Sequence, residues 1–282
     1  MVYRLRRCRP GPRPDSAVHP VLTVVEVAGI QRPIGTYGAL ISVAVLLGSV
    51  VTVRATARAG LDAGAMISAL ALAVGLGFVG AYAGFVAVNW VQRPGWDASL
   101  LQPGVVFYAG AATGALGLAA GARWFGLSIA RTLDLALPGL PLAHAIGRLG
   151  CWFGGCCYGA PCDHGFCVTY TDPLAAAAHP SVPRHPWPLY EAACLLVLAG
   201  LFASPTRFAS RPGQRAAGYV LLYALLRMGL EPLRGDAVRG VFCEGAWSTA
   251  QLTAAVTGSI AVWWLWRQRR RDPRLCARAW QV

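Results

Sequence analysis

Four side chains that can carry a charge or transfer a proton lie on one predicted helix near the end of the chain. Tyr223, Arg227 and Glu231 are spaced four residues apart, and Arg234 follows three residues later. Residues at this spacing share one face of a helix. A charge inside an apolar segment is costly unless it is paired, hydrated or bound to a ligand. The stripe therefore indicates either a functional site or an internal Arg227–Glu231 ion pair that only stabilises a helix bundle.

A second charged group lies in the glycine-rich segment HAIGRLGCWFGGCCYGAP. Arg148 is flanked by Gly147 and Gly150, and the absence of side chains at these glycines allows a ligand or another backbone to come close. His144 lies one helical turn before Arg148. It is a candidate proton acceptor, or else a structural histidine that satisfies a buried hydrogen bond.

The third group is the segment RHPWPLYE, which leads into an apolar stretch. It places His185, Tyr190 and Glu191 at the mouth of a predicted helix. Glu191 is a candidate for acid–base chemistry. The alternative is a capping role, because the helix dipole stabilises acids near a helix N-terminus.

The elements that position these groups are predicted to be membrane-spanning helices. Of the 282 residues 56% are apolar and only 13% are charged, which is too little charge to cover a soluble globule. About 20 residues cross the hydrocarbon core of a bilayer. Uncharged stretches of that length cover Ile34 to Val53, Ala63 to Val91, Ala98 to Ala122 and Gly245 to Trp266. Three further apolar stretches carry the polar groups: Leu133 to Cys157, Leu189 to Ala203 and Ala216 to Leu230. The sequence predicts an all-α, polytopic membrane protein with about seven transmembrane helices.

The positive charge follows membrane topology. All 25 basic residues are arginine and the net charge is +13, but the arginines cluster at the termini and in short loops, so no folded domain has a basic face for nucleic acid. With the N-terminus outside, thirteen arginines lie near inner span ends and five near outer ones. We therefore expect a partly disordered N-terminal extension over 1–33, a membrane domain over 34–266 with an external loop over 158–187, and a basic cytoplasmic tail over 267–282.

Taken together, the three polar segments resemble the prolipoprotein diacylglyceryl transferase family. The matching motifs are GRLG with Arg148, HPWPLYE over His185 to Glu191, and YALLRMGLEPLR over Tyr223 to Arg234, after a TYG with Tyr37 at the start of the first span. The match runs from about Ile34 to Trp266.

The resemblance implies a seven-span enzyme of the bacterial inner membrane. Such an enzyme moves the diacylglyceryl group of phosphatidylglycerol to the lipobox cysteine thiol of a prolipoprotein and releases glycerol 1-phosphate. The expected partners are phosphatidylglycerol, prolipoprotein signal peptides and membrane lipids, with no nucleic acid, cofactor or metal. The expected catalytic residues are Arg227, Glu231, Tyr108 and Glu191. The expected substrate-binding residues are Arg148, Tyr37, Gly147, Gly150, Cys151, His185, Tyr190, Tyr223 and Arg234.

Several positions depart from the family pattern. Tyr108 stands where the family has a catalytic histidine, and Cys151 stands where it has an asparagine. Cys156 replaces a glutamate, and Tyr82 replaces an arginine. The change from histidine to tyrosine exchanges a base that titrates near neutral pH for a phenol with a pKa of about 10.

The implied reaction is displacement at a glycerol carbon by sulfur, with phosphate leaving. It needs neutralised phosphate charge, and guanidiniums such as Arg148 and Arg227 bind phosphate oxygens bidentately while remaining charged. It also needs a base for the thiol. The candidates, in order, are Glu231, Glu191, His144 and an arginine-activated Tyr108.

The nine cysteines leave three interpretations open. On the outer, oxidising face, Cys162 and Cys167 are expected to form a disulfide. Alternatively, zinc is held by Cys156, Cys157, Cys162, His164 and Cys167, or the cysteines are small packing residues. Two other functions also stay open: a membrane thiol-redox or metal protein, and a non-catalytic lipid-binding or transport module.

Overall fold

The structure is a computed structural model that describes residues 18–27, 30–92, 106–163, 165–172, 174–175, 182–203, 211–236, 241–242 and 247–270. Most of these residues are helical. The helices in the described part are α1 Thr36–Arg58, α2 Ala63–Gln92, α3 Phe107–Trp124, α4 Ile129–Ala136, α5 Leu140–Phe153, α6 Trp187–Ala203, α7 Gln214–Leu230 and α8 Thr249–Arg270. A 3-10 turn, Glu231–Leu233, continues α7.

Among the described residues, two helices are long and apolar enough to cross a membrane. They are Thr36–Arg58 and Ala63–Val91, each with a mean hydropathy of 2.0, and α6 is apolar but shorter. Large apolar side chains point outward, among them Leu46 at 63% exposure and Val197 at 70%. An apolar outer surface of this kind suits lipid tails better than water. The fold agrees with an all-α membrane protein, and the number of spans stays a prediction.

In the part of the chain that the structure describes, two short hairpins depart from the all-α prediction. Strands β1 Val21–Val27 and β2 Ile30–Gly35 pair antiparallel, and so do β3 Val241–Phe242 and β4 Trp247–Ser248. The first hairpin is valine-rich, as strands favour. It lies in a region that we expected to be an extension outside the fold, and it covers Ile34, where we expected the first span to begin. Residues 1–17 and 271–282 lie outside the described residues.

The glycine-rich stripes of α2 and α3 allow these helices to pack closely. A side chain at Gly110 would meet the Ala81 Cβ at 2.8 Å, and one at Gly121 would meet the Ala69 Cα at 2.7 Å. Gly80 faces Thr113 in the same way, without room for a Cβ. These glycines therefore serve helix packing, because a side chain at any of the three would force the two helices apart.

The fourth predicted span, Leu133 to Cys157, is not one helix. It is divided into α4 and α5 by a break that contains Pro138 and Gly139. Proline lacks the N–H that an uninterrupted helix needs. Gly139 fits against the backbone of Gly48 in α1, where a Cβ would collide. The break separates the amphipathic α4 from α5, which carries the polar residues.

Candidate active site

Glu191 joins three helices in the interior of the protein. It lies one turn into α6 and is fully buried. The Glu191 Oε2 is 2.7 Å from the Arg148 Nε of α5, and the Tyr223 hydroxyl of α7 donates a hydrogen bond of 2.8 Å to Oε1. The His144 Nε2 lies 3.8 Å from the same Oε1. The carboxylate therefore orients a guanidinium and a phenol, and the capping interpretation of Glu191 is wrong.

A second buried ion pair lies at the end of α7. Arg227 Nη1 is 2.7 Å from Glu231 Oε2, and both side chains are almost completely buried. The ion pair that the four-residue spacing offered as one of two interpretations is therefore present. Arg227 Nη2 is also buried, and within the described part of the chain it has no hydrogen-bond partner. The pair thus leaves a donor of Arg227 unused.

Trp187 lies at the centre of three guanidiniums. The distances from its ring centroid to the Cζ atoms are 5.3 Å for Arg148, 4.7 Å for Arg227 and 4.9 Å for Arg234. The indole N–H donates a hydrogen bond of 2.8 Å to the Leu230 carbonyl, which fixes the ring against α7. An aromatic face attracts cations. Trp187 was not predicted as a site residue, although its position between two prolines in the polar segment was a signal.

Arg234, the third guanidinium around Trp187, is paired with Asp236. Its guanidinium forms an ion pair and hydrogen bonds with Asp236, and it contacts the Trp187 ring. Asp236 was not predicted as a site residue. Within the predicted stripe, Arg227 and Glu231 therefore pair with each other, whereas Tyr223 bonds to Glu191 and Arg234 pairs with Asp236.

His185 and Tyr190 make hydrogen bonds that support the outer loop. The Tyr190 hydroxyl is 3.3 Å from the His185 Nδ1, and it donates a hydrogen bond to the Phe166 carbonyl. The His185 carbonyl accepts a hydrogen bond from the Gly159 N–H. A side chain at Gly159 would collide with His185. The substrate-binding role expected for His185 and Tyr190 therefore stays a prediction, because their contacts here are structural.

The outer loop also has a small apolar core. Tyr170 packs edge-on against Trp152 of α5, with ring centroids 5.8 Å apart, and Val18 and Ala175 complete the cluster. Burial raises the pKa of the Tyr170 phenol above its ordinary value, because water no longer solvates the phenolate. This core holds the loop against the end of α5, next to the charged cluster.

Tyr37 and the glycines of α5 form a contact between helices. Gly150 faces the Tyr37 ring, and a Cβ there would lie 3.2 Å from Cδ2. A Cβ at Gly147 would meet the Ile41 Cδ1 of α1 at an ordinary 3.4 Å. Tyr37 itself is 38% exposed. The close approach expected at these glycines is thus made by a neighbouring helix.

Phe107, and not Tyr108, faces the charged cluster. The Phe107 ring stacks on His144 with centroids 5.5 Å apart, and the Arg148 Cζ is 5.9 Å from its centroid. Tyr108 is 39% exposed and makes an edge contact with Phe107. In the described chain no hydrogen bond or ring contact joins Tyr108 to an arginine, and the catalytic role expected for Tyr108 stays a prediction.

Three cysteines form a cluster beside Arg148. The Sγ atoms of Cys151, Cys156 and Cys157 lie within 4.8 Å of one another. The predicted disulfide is present: Cys162 and Cys167 are bonded. The predicted zinc set is therefore wrong, because two of its thiols are used in that disulfide. His164, which also belonged to that set, lies outside the described residues.

The fold and the site are those of a helical membrane protein with three buried arginines, whose N–H donors are suited to an anionic group. A model of the prolipoprotein diacylglyceryl transferase family matches residues 24–267. A phosphatidylglycerol–prolipoprotein diacylglyceryl transferase from Parasynechococcus marenigrum is 31% identical over 255 residues, which cover 84% of this chain and 91% of the relative. A protein of the same name from Gloeobacter violaceus is 35% identical over 204 residues, covering 67% and 72%. This chain belongs to the prolipoprotein diacylglyceryl transferase family and is a transferase.

Proposed function

We propose that this chain transfers the diacylglyceryl group of phosphatidylglycerol to the lipobox cysteine thiol of prolipoproteins and releases glycerol 1-phosphate. The names of its relatives describe transfer between phosphatidylglycerol and prolipoprotein. The observation that carries the proposal is the cluster of three guanidiniums around Trp187. Buried guanidiniums are suited to a phosphate because they stay charged and present paired N–H donors.

Arg148 and Arg227 are the phosphate-binding residues of this proposal. Arg227 has a buried nitrogen without a hydrogen-bond partner among the described residues. An unsatisfied buried donor costs free energy, and a phosphate oxygen would satisfy it. The carboxylates of Glu191 and Glu231 keep the two cations paired before lipid arrives, which avoids the cost of an isolated buried charge.

In the reaction, the acceptor sulfur forms a bond to the diacylglyceryl carbon, and the bond between that carbon and the phosphate oxygen breaks. Negative charge develops on the departing oxygen, where fixed guanidiniums stabilise it without having to reorganise. Glu191 and Glu231 are both committed to arginines, so their main role is to position Arg148 and Arg227. His144 remains as a proton acceptor in direct contact with this cluster.

The proposal includes a position in the bacterial cytoplasmic membrane with seven spans. The loop over 158–187 lies on the outer face, and the basic tail over 267–282 lies in the cytoplasm. The thirteen-to-five distribution of arginines near the span ends supports this orientation. It would present the site to prolipoprotein substrates at the outer side of the membrane.

The test is a transfer assay with purified protein in detergent, phosphatidylglycerol and a lipobox peptide. Thioether product and released glycerol 1-phosphate are both measured. We expect Arg148→Lys and Arg227→Lys each to lower the rate roughly a hundred- to a thousandfold, because an ammonium lacks the bidentate fork. Near-normal transfer by either variant would contradict the assigned roles.

Arg215→Lys is the matched control. Arg215 is also a buried arginine, but it donates hydrogen bonds to the carbonyls of Asp134 and Phe202 at the opposite end of α7. We expect this variant to keep its activity within about tenfold, since it lies away from the reacting groups. Wild-type protein that binds phosphatidylglycerol without releasing glycerol phosphate would instead indicate a lipid-binding module. Transfer that survives the arginine changes but fails on cysteine replacement would indicate a thiol-based protein.

A further inference from the structure

The cysteine cluster beside the site is built from two short pieces of chain. Cys151 lies in the last turn of α5 and is buried, and Cys156 and Cys157 follow in the next loop. The Cys156 N–H donates a hydrogen bond to the Cys151 carbonyl, which folds the loop back over the helix end. Gly154 and Gly155 permit this reversal, and Gly155 has φ +63°. The result brings three thiols to one point.

Cys157 adopts a backbone conformation that is unusual for its type. Its φ is +55°, and in the part of the chain described it is the single non-glycine residue with positive φ. A non-glycine residue in this region costs free energy and persists where the surroundings require it. Here the conformation turns the Cys157 side chain back toward Cys151 and Cys156. The strain is therefore associated with assembly of the three thiols.

Two guanidiniums face the cluster. Arg148 Nη1 is 4.0 Å from the Cys151 Sγ and 3.9 Å from the Cys157 Sγ, and Arg234 Nη2 is 3.9 Å from the Cys157 Sγ. Cationic N–H donors favour thiolate over thiol, and thiolate is the form that binds metal. This environment argues against the interpretation of these cysteines as inert packing residues.

The dimensions fit a zinc ion. A zinc–sulfur distance of about 2.3 Å in tetrahedral geometry corresponds to sulfurs about 3.8 Å apart. The observed separations of up to 4.8 Å would need to shrink by about 1 Å at most, which rotation of side chains supplies. Among the described residues no fourth histidine, cysteine or carboxylate joins the group. Three protein ligands and an open fourth position are typical of catalytic rather than structural zinc.

We propose that Cys151, Cys156 and Cys157 bind one zinc ion as three thiolates, and that its fourth position takes the thiol of the acceptor cysteine. The second half rests on the proposed function. A thiol that coordinates zinc is deprotonated. This supplies the activation for which Tyr108, at the position of the family's histidine, is badly placed. Arg148 contacts both the thiol cluster and Glu191, so a phosphate held by Arg148 would lie beside the zinc-bound sulfur.

The step balances without a further reactant. The acceptor thiol gives up its proton on binding zinc, and its sulfur lone pair then forms the bond to the diacylglyceryl carbon. The electron pair of the broken carbon–oxygen bond stays on the phosphate. His144, the proton acceptor of the proposed function, takes up the released proton, and the departing glycerol phosphate removes it when the carbon–oxygen bond has broken. The thioether product is a weaker ligand than a thiolate, so it leaves the metal, and no oxidation or reduction takes place.

Metal binding is tested first, independently of transfer. Full-length protein is purified in detergent without oxygen, loaded with Zn(II), and dialysed, and its zinc is counted. We expect about one ion per chain, and loss of that ion in Cys156→Ser and Cys157→Ser. Cys194→Ser is the matched control, since Cys194 is a free cysteine of α6 outside the cluster. Absence of zinc in the wild type, an unchanged count in the cluster variants, or a disulfide among the three thiols would overturn the proposal.

The fourth position is tested with Co(II) in place of zinc. Cobalt bound by thiolates gives sulfur-to-cobalt charge-transfer absorption, which we expect to increase when a lipobox peptide is added. A peptide with serine in place of its cysteine should leave the spectrum unchanged. No difference between the two peptides would overturn the acceptor role. A cysteine-dependent change with no diacylglyceryl transfer would uphold the zinc site and contradict the proposed function instead.

The pH dependence separates activation from a structural role of the metal. A free thiol with a pKa of about 8.5 is only about 3% ionised at pH 7, so zinc-free protein should transfer about 30-fold more slowly there. Its rate should rise with pH and approach that of the zinc form above about pH 8.5. If zinc-free protein is equally slow at all pH values, or as fast as the zinc form at pH 7, zinc does not activate the acceptor thiol by deprotonating it.

Discussion

Replacement of Glu191 by glutamine tests how the site holds Arg148. Glu191 is fully buried, its carboxylate is 2.7 Å from the Arg148 Nε, and it accepts a hydrogen bond from Tyr223. Glutamine keeps the shape and can still accept the bond from Tyr223. Its neutral amide no longer compensates the buried guanidinium, so Arg148 loses its charge partner.

The expected cost follows from the burial of the pair. Removing one partner of a buried ion pair typically lowers the free energy of unfolding by about 3–5 kcal/mol. We expect a loss at the lower end, about 3 kcal/mol, because Glu191 also has Tyr223 as a partner. In transfer, we expect kcat to fall about a hundredfold with less change in KM, because a misplaced guanidinium fails to meet the transition state.

The assay combines thermal unfolding in detergent with transfer kinetics. A double-mutant cycle with Arg148→Gln should give a coupling free energy of about 2–3 kcal/mol between the two positions. Glu26→Gln, which changes an exposed glutamate of β1, is the control and should alter neither measurement. The reasoning is refuted if Glu191→Gln unfolds at the wild-type temperature and transfers at the wild-type rate, or if the two substitutions are simply additive.

Three further changes test other parts of the site. Tyr108→Phe should keep transfer within about tenfold, because Phe107 faces the cluster; complete loss in a folded protein would contradict this. Trp187→Phe should lower the free energy of unfolding by about 1–3 kcal/mol and slow transfer, because the indole hydrogen bond to Leu230 is lost and the aromatic face that the arginines contact is smaller. An unchanged melting temperature would argue against a role of Trp187 in holding the arginines. A reporter that works only in the cytoplasm should be active when it is fused after Val282. Activity of a fused reporter that works only at the outer face would instead reverse the proposed orientation.

Sequence order alone determined the features that depend on neighbours along the chain. The spacing of Arg227 and Glu231 predicted their ion pair because residues four apart share a helix face. The expected position of Cys162 and Cys167 in one short loop on the outer, oxidising face favoured the disulfide that they form. The helical content likewise followed from the composition and length of the apolar stretches.

The tertiary structure decided which residues meet across the bundle. A sequence pattern assigns a residue to a helix face, but it does not determine which helix that face meets. The sequence left Glu191 as either an acid–base candidate or a cap, and only the packing of α5 showed its pairing with Arg148. Trp187 was not predicted as a site residue, because its contacts with three arginines come from other elements. Cys151 likewise joins Cys156 and Cys157 only because the chain reverses after α5. Such contacts depend on the rotation and depth of each helix, which are set by the packing of the whole molecule.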